Sequence, residues 1–84
     1  MSEPSQRRAL YEGAWLALAY TAHGKLDEAC AVAGMALPRL DRVRSPRSVV
    51  LLAMLAGELR RRKRNNTVAG FVPGLEEALA RQSV

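Results

Sequence analysis

The stretch from Leu10 to Leu37 constrains this chain more than any other. It reads LYEGAWLALAYTAHGKLDEACAVAGMAL, two alanine-rich segments of helical character broken at one glycine. Alanine gives up no side-chain entropy in a helix, and its small size lets neighbouring helices approach closely. Gly24 is placed to end the first segment, because glycine takes a left-handed backbone at little cost. Lys25 or Asp27 then opens the second, and Asp27 and Glu28 put negative charge in its first turn, where the helix dipole favours it. The expected product is a tight antiparallel helical hairpin with its corner at GKLDEA.

Both sides of the first helix carry apolar residues. With Pro4 in its first turn and Ser2 or Ser5 as cap, it is expected from about Pro4 to His23, behind a frayed start at residues 1–3. Leu10, Gly13, Leu16, Ala17 and Tyr20 form one stripe at helical spacing, and Tyr11, Trp15, Leu18 and Ala22 form a second. A helix that is apolar on two sides is usually covered on two sides. The hairpin partner, expected over Lys25–Asp41 with Leu26, Ala29, Ala33, Ala36 or Leu37, and Leu40 inward, covers only one. Tyr11, Trp15 and Leu18 are therefore the expected anchors for a protein partner, a two-fold homodimer being the simplest form. Pro38 removes a hydrogen bond and presses on the carbonyl of Gly34, so a kink is expected there.

Ser45–Pro46 is a strong start signal, an N-cap followed by proline at the first helical position. The third helix is expected from Pro46 to about Arg64, with Val49, Leu52, Leu55, Ala56 and Leu59 as its main stripe. Val50, Leu51, Ala53 and Met54 make it apolar nearly all round, so it is expected to be the most buried helix. Asn65–Asn66 reads as its stop. In the tail, Val68, Phe71 or Val72, Leu75 and Leu79 keep helical spacing. Pro73 predicts a break, with a turn at Thr67–Phe71 and a short fourth helix over Pro73–Arg81.

The totals fit one small all-α domain over residues 1–84. Aromatic content is 5% and no strand-like alternation occurs. A chain of 84 residues buries only about two thirds of its unfolded surface, which leaves it marginal alone. One cysteine, Cys30, excludes an intrachain disulfide, and on an apolar helix face it reads as a small core residue. No apolar run follows a basic start, so no signal peptide is expected, and the longest apolar run, Val49–Ala56, is too short to span a bilayer. A cytoplasmic location follows as the expectation.

Catalysis finds no foothold. His23 is the single histidine. It lacks a second ligand for a zinc site, and it lacks the orienting group a Cys30–His23 pair would need. The glycines follow no phosphate-loop order. A non-enzyme without metal or cofactor is expected. The sharp feature that remains is Arg60-Arg61-Arg62-Lys63-Arg64, within a formal net charge of +5. Cations suit a helix C-terminus, and a consecutive run wraps around a helix instead of lining one face. It reads first as a solvated or partner-facing rim, joined by Arg39, Arg42, Arg44 and Arg47. The alternative is a small basic nucleic-acid-binding regulator that uses Arg60–Arg64.

The spacing of Leu16, Ala17, Tyr20, Gly24, Leu26, Ala29, Ala33 and Ala36 resembles one tetratricopeptide repeat over residues 10–43. The repeat usually has a bulky residue where this chain has Ala33, a proline near Asp41 and an aromatic near Gly13. Continuing the register puts Arg62 where a small residue is needed, so residues 45–82 would be a degenerate second repeat or cap. The segment GKLDEAC with the arginine-rich RLDRVRSPR looks like the C-terminal repeat region of bacterial helix-turn-helix transcription regulators. The resemblance implies a tetratricopeptide-like antiparallel hairpin array of three main helices plus a short C-terminal helix. It further implies a protein–protein interaction module of a transcription-related bacterial system.

Overall fold

At the Gly24 corner the backbone turns left-handed, with φ at +76°. The Lys25 amide donates to the Tyr20 carbonyl at 2.8 Å and the Gly24 amide to the Thr21 carbonyl at 3.1 Å. These are the two bonds of a Schellman cap, which satisfies carbonyls the helix end would otherwise leave open. The computed structural model describes residues 3–82, which form four α-helices: α1 Glu3–Ala22, α2 Leu26–Leu40, α3 Pro46–Arg60 and α4 Asn66–Gln82. Glu3 is already helical, and Ser2, a candidate cap, lies outside the described residues.

Each junction has a local cause. In α2, Asp27 and Glu28 occupy the first turn and Arg39 the last, in keeping with the dipole. Ser45 caps α3: its Oγ accepts from the Ser48 amide at 3.4 Å, and Pro46 follows at the start of the helix. Asn65 does for α4 what Ser45 does for α3, its Oδ1 accepting from the Val68 amide at 3.1 Å.

Three expectations about the elements need correction. First, α3 ends at Arg60, and Arg61–Arg64 form a turn. Asn65 belongs to the next helix as its cap, which draws the α3 terminus back. Second, α4 is a full helix of 17 residues, not a short one after a break, and it runs through Pro73. Pro73 and Ala69 are both exposed, so the carbonyl of Ala69 that loses its donor can turn to water. In the same way α2 continues through Pro38 to Leu40, with Pro38 and Gly34 on its exposed side. Third, Leu16 is 45% exposed instead of inward. The inward face of α1 is Leu10, Ala14, Ala17 and Thr21, all buried, and Leu16 lies off it.

The helices form two antiparallel hairpins, α1–α2 and α3–α4, laid side by side. α1 packs on α2 and α3, and α4 packs on α3 and α2. The like-numbered helices of the hairpins run parallel. Arg7 and Tyr11 share a groove with Ser45 and Arg47 near the starts of α1 and α3. At the ends of α2 and α4, Gln82 donates to the Leu40 carbonyl at 3.3 Å and Arg81 lies 3.8 Å from Asp41.

The two hairpins divide the core unevenly. The second supplies most of the bulk through Leu52, Leu55, Leu59, Val68, Val72 and Leu75, all buried. The first supplies buried Ala14, Ala17, Ala29, Ala33 and Ala36 around Leu10 and Leu40. The alanines bring α1 and α2 so close that a Cβ built on Gly13 would stand 3.2 Å from the Cβ of Ala36. Cys30 lies buried in the same layer, and its burial, with a smaller effect from Asp27, pushes its thiol pKa up. No described helix is long and apolar enough to cross a membrane.

Candidate docking surface

Tyr11, Trp15 and Leu18 lie at i, i+4 and i+7 of α1, one stripe beside α3. Tyr11 and Leu18 are half-buried and pack against the core, so the cover missing from their own hairpin is partly supplied by the second. Trp15 is not covered, and 51% of it remains exposed. Its ring meets Tyr11 edge to face, with centroids 6.5 Å apart and planes at 78°. That arrangement suits the ring quadrupoles.

The neighbouring stripe on α3 is Arg47, Leu51 and Met54, again at i, i+4 and i+7. Arg47 lines the groove with Tyr11, which puts this stripe on the side of α3 that flanks α1. Leu51 is buried, whereas Met54 is 55% and Val50 59% exposed. α3 has more buried residues than any other described helix, as expected, but on one side: its core face holds Leu51, Leu52, Leu55, Ala56 and Leu59, and Val50 and Met54 extend beyond it. Two parallel helices thus present a joint outer face with Trp15 and Met54 as its largest exposed apolar side chains. The sequence marked the α1 half of this face. It did not mark Val50 and Met54, which apolar residues on every side of α3 had hidden.

The face ends in a basic groove. Arg7, Arg8 and Arg47 line it together with Tyr11 and Ser45. The Nε of Arg8 donates to Glu12 at 2.7 Å, a hydrogen bond that, with the carboxylate's charge, raises the arginine's pKa further. Arg7 and Arg8 escaped notice in the sequence, although Arg7 extends the Tyr11 stripe by one helical turn. The groove's two sides come from the parallel packing of α1 on α3, which no local pattern announces.

The run Arg60–Arg64 sits at the opposite end of α3. Arg60 pairs with Glu76 of α4, Nη2 to Oε2 at 2.6 Å. Arg61 and Arg62 lie 3.8 and 3.6 Å from the two oxygens of Glu58. Arg62 also donates to the Glu58 carbonyl at 2.8 Å. Lys63 and Arg64 are exposed and carry no ion pair among the described residues. The run is thus an exposed helix end, three of whose cations already face carboxylates. It is remote from Trp15 along α3 and is not part of the apolar face.

His23 is exposed just past the end of α1 and Cys30 is buried in α2. Among the described residues no three His, Cys, Asp or Glu side chains converge. No protein-family model, no curated protein and no solved structure matches this chain.

Proposed function

We propose that the chain is a protein–protein interaction module of a bacterial, transcription-related regulatory system, and that it docks its partner on the joint face of α1 and α3. The observation that carries this reading is the half-exposed Trp15 on α1, in edge-to-face contact with Tyr11, with the half-exposed Met54 on the adjoining α3. Exposed large apolar side chains grouped on one face mark interaction surfaces on small proteins, and tryptophan is enriched among residues that dominate binding energy. The two parallel-stacked hairpins resemble a pair of tetratricopeptide-like units, in which adjacent first helices form a shared surface. The regulatory context rests on the GKLDEAC corner and the arginine-rich segment after it.

A photo-crosslinking side chain at position 15, compared with one at position 35, tests the reading in cells. Met35 is 72% exposed on α2, outside the proposed face, and serves as the control. The expected result is a discrete adduct to a different protein from position 15 and none to a different protein from position 35. Equal labelling at both, or none at either, removes the docking reading.

The nucleic-acid reading draws on Arg60–Arg64. Three of these cations face Glu58 and Glu76, which leaves Lys63 and Arg64 as a small phosphate-binding footprint. Salt-sensitive retardation of DNA or RNA, abolished by glutamine at 61, 62 and 63, would favour that reading instead.

A further inference from the structure

The outer flank of α2 carries a pattern that the docking face does not use. Glu28, Val32, Met35 and Arg39 stand at i, i+4, i+7 and i+11. That spacing puts them in one stripe along the helix, with an acid at its start and a base at its end. We infer that this stripe pairs with the same stripe of a second copy of the chain, the two α2 helices antiparallel about a two-fold axis. This face is separate from the docking surface, and the pairing stands or falls independently of it.

Neighbouring contacts place the stripe. Gly34 marks the α4 side of α2, where a Cβ would lie 3.7 Å from Phe71. Arg39 marks the α1 side, where its Nε donates to Gln6 at 3.0 Å. Gly13 and Ala36 meet in the seam between α1 and α2, and Leu16 and Val32 come about one turn further along it. The centre of the flank is apolar. Met35 and Leu16 are exposed, Val32 is half-buried, and no charged residue occurs from Ala29 to Pro38 or from Gly13 to Ala22. The charges at its two ends are unmatched within the chain. Glu28 is exposed and forms no ion pair among the described residues. Arg39 donates to the Gln6 side chain and to the Met35 carbonyl. Both are neutral acceptors, and among the described residues no carboxylate pairs with this guanidinium.

A two-fold axis turns this order of residues into complementarity. Glu28 and Arg39 are about three helical turns apart, and their midpoint falls between Val32 and Met35. An axis at that midpoint sets Val32 and Met35 against the same residues of the second copy. It also brings each Glu28 to Arg39 of the other copy, once at either end. A uniformly acidic or basic segment would satisfy one end of the stripe and be repelled by the other. A phosphate backbone would meet Glu28 and the apolar centre. The repulsion between two chains of net charge +5 is screened beyond about 8 Å at physiological salt, so the groups at the contact decide. Exposed ion pairs contribute little affinity each. Their effect is to fix the register of an association that the apolar centre drives.

Charge reversal tests the pairing, with sedimentation equilibrium of the full chain as the readout. Wild type is expected to dimerise, and a chain that stays monomeric up to about 1 mM overturns the inference. Glu28→Arg and Arg39→Glu should each weaken dimerisation about tenfold, because each sets like charges together at both ends. Mixed with one another, or combined in one chain, they should recover most of it, since the reversed ends again meet opposite charges. Circular dichroism checks their helicity, and mixing would not repair a folding defect. Met35→Glu, at a position 72% exposed in the single chain, should abolish the dimer and keep the helices. Dimerisation that survives Met35→Glu, or single reversals that weaken it without recovery on mixing, overturns the antiparallel pairing. A dimer dissolved by Trp15→Glu and not by Met35→Glu overturns it too, and makes a second copy the occupant of the α1–α3 face.

Discussion

Tyr11 and Trp15 stand edge to face one turn apart on α1, one half-buried against the core and the other half in solvent. The pair links the two roles of this helix. Tyr11 packs against the core beside the start of α3, and its ring meets that of Trp15, half of which stays in solvent. An indole has few side-chain torsions to give up on binding, which is one reason aromatics dominate interfaces. Trp15→Glu is expected to keep the helical circular dichroism and to change the unfolding free energy by no more than about 1 kcal/mol, because the indole's outer half contributes nothing to the core. It should abolish photo-crosslinking when the probe is moved to Met54 on α3. A Trp15→Glu chain that unfolds would mean that the indole is part of the core.

Two glycines in helix interiors should respond oppositely to alanine. A methyl at Gly57 meets nothing within 4 Å, so Gly57→Ala should stabilise the chain by up to about 1 kcal/mol through helix propensity alone. A methyl at Gly13 meets the Cβ of Ala36 at 3.2 Å. Ala36 is 2% exposed and its methyl is fixed to the backbone, so α1 and α2 must part. The propensity gain should then be lost, and Gly13→Leu should cost about 1–3 kcal/mol through overpacking. Urea melts of the three variants decide this, and an equal gain at both glycines would contradict the close approach of the hairpin.

The corner at Gly24 should be intolerant for a different reason. Nothing crowds a Cβ there, but φ is +76°. Gly24→Ala should cost about 1–2 kcal/mol from backbone strain alone, and Gly24→Val more, because a β-branched side chain resists this conformation further. A melting temperature unchanged by Gly24→Val would place the turn elsewhere.

The features that were legible in the sequence depend on one or two adjacent residues. Gly24 and Ser45–Pro46 announce their caps because the chemistry is local, and the three aromatic and aliphatic members of the α1 stripe show at helical spacing. The misread features each depend on tertiary surroundings. Proline breaks a helix when the freed carbonyl is buried, and Pro73 lies on an exposed face. Asn65 can stop one helix or start another, and the Val68 amide decides for the second. Leu16 outranks Ala14 in hydrophobicity, yet Ala14 shares the buried face of α1 with Leu10, Ala17 and Thr21, and Leu16 lies off it. The groove at Arg7 and Arg47 needs α1 and α3 to be parallel neighbours, which follows only once both hairpins exist.

The basic end of α3 should be dispensable for folding. Arg60 and Glu76 are 52% and 41% exposed in their side chains, so a double-mutant cycle on this pair should give a coupling of about 0.2–1 kcal/mol that weakens with salt. Glutamine at Arg61, Arg62 and Lys63 together should leave helicity and melting nearly intact. If that triple variant unfolds, the pairs to Glu58 hold the α3–α4 turn together and the run is structural.

Cys30 gives the chain a pH dependence with a definite sign. Burial raises its thiol pKa in the folded state, while in the unfolded chain the thiol ionises near about 8.5. Below that value both states hold the proton and the group contributes its full share. As pH climbs past it, the unfolded state releases the proton and the folded state does not, so unfolding becomes easier, and the loss continues until the raised folded pKa is passed. Wild type should therefore lose more stability than Cys30→Ala on the alkaline side of this point and show no such difference at neutral pH, because every other titrating group is common to both chains. In the same range, thiol-specific reagents should modify native Cys30 slowly and denatured Cys30 at once, since the reactive thiolate forms only when the helix pair opens. Parallel urea melts of the two chains at neutral and alkaline pH provide the comparison. A constant gap between their unfolding free energies would mean that Cys30 ionises in the folded chain as readily as in the unfolded one, and that the α1–α2 layer admits water.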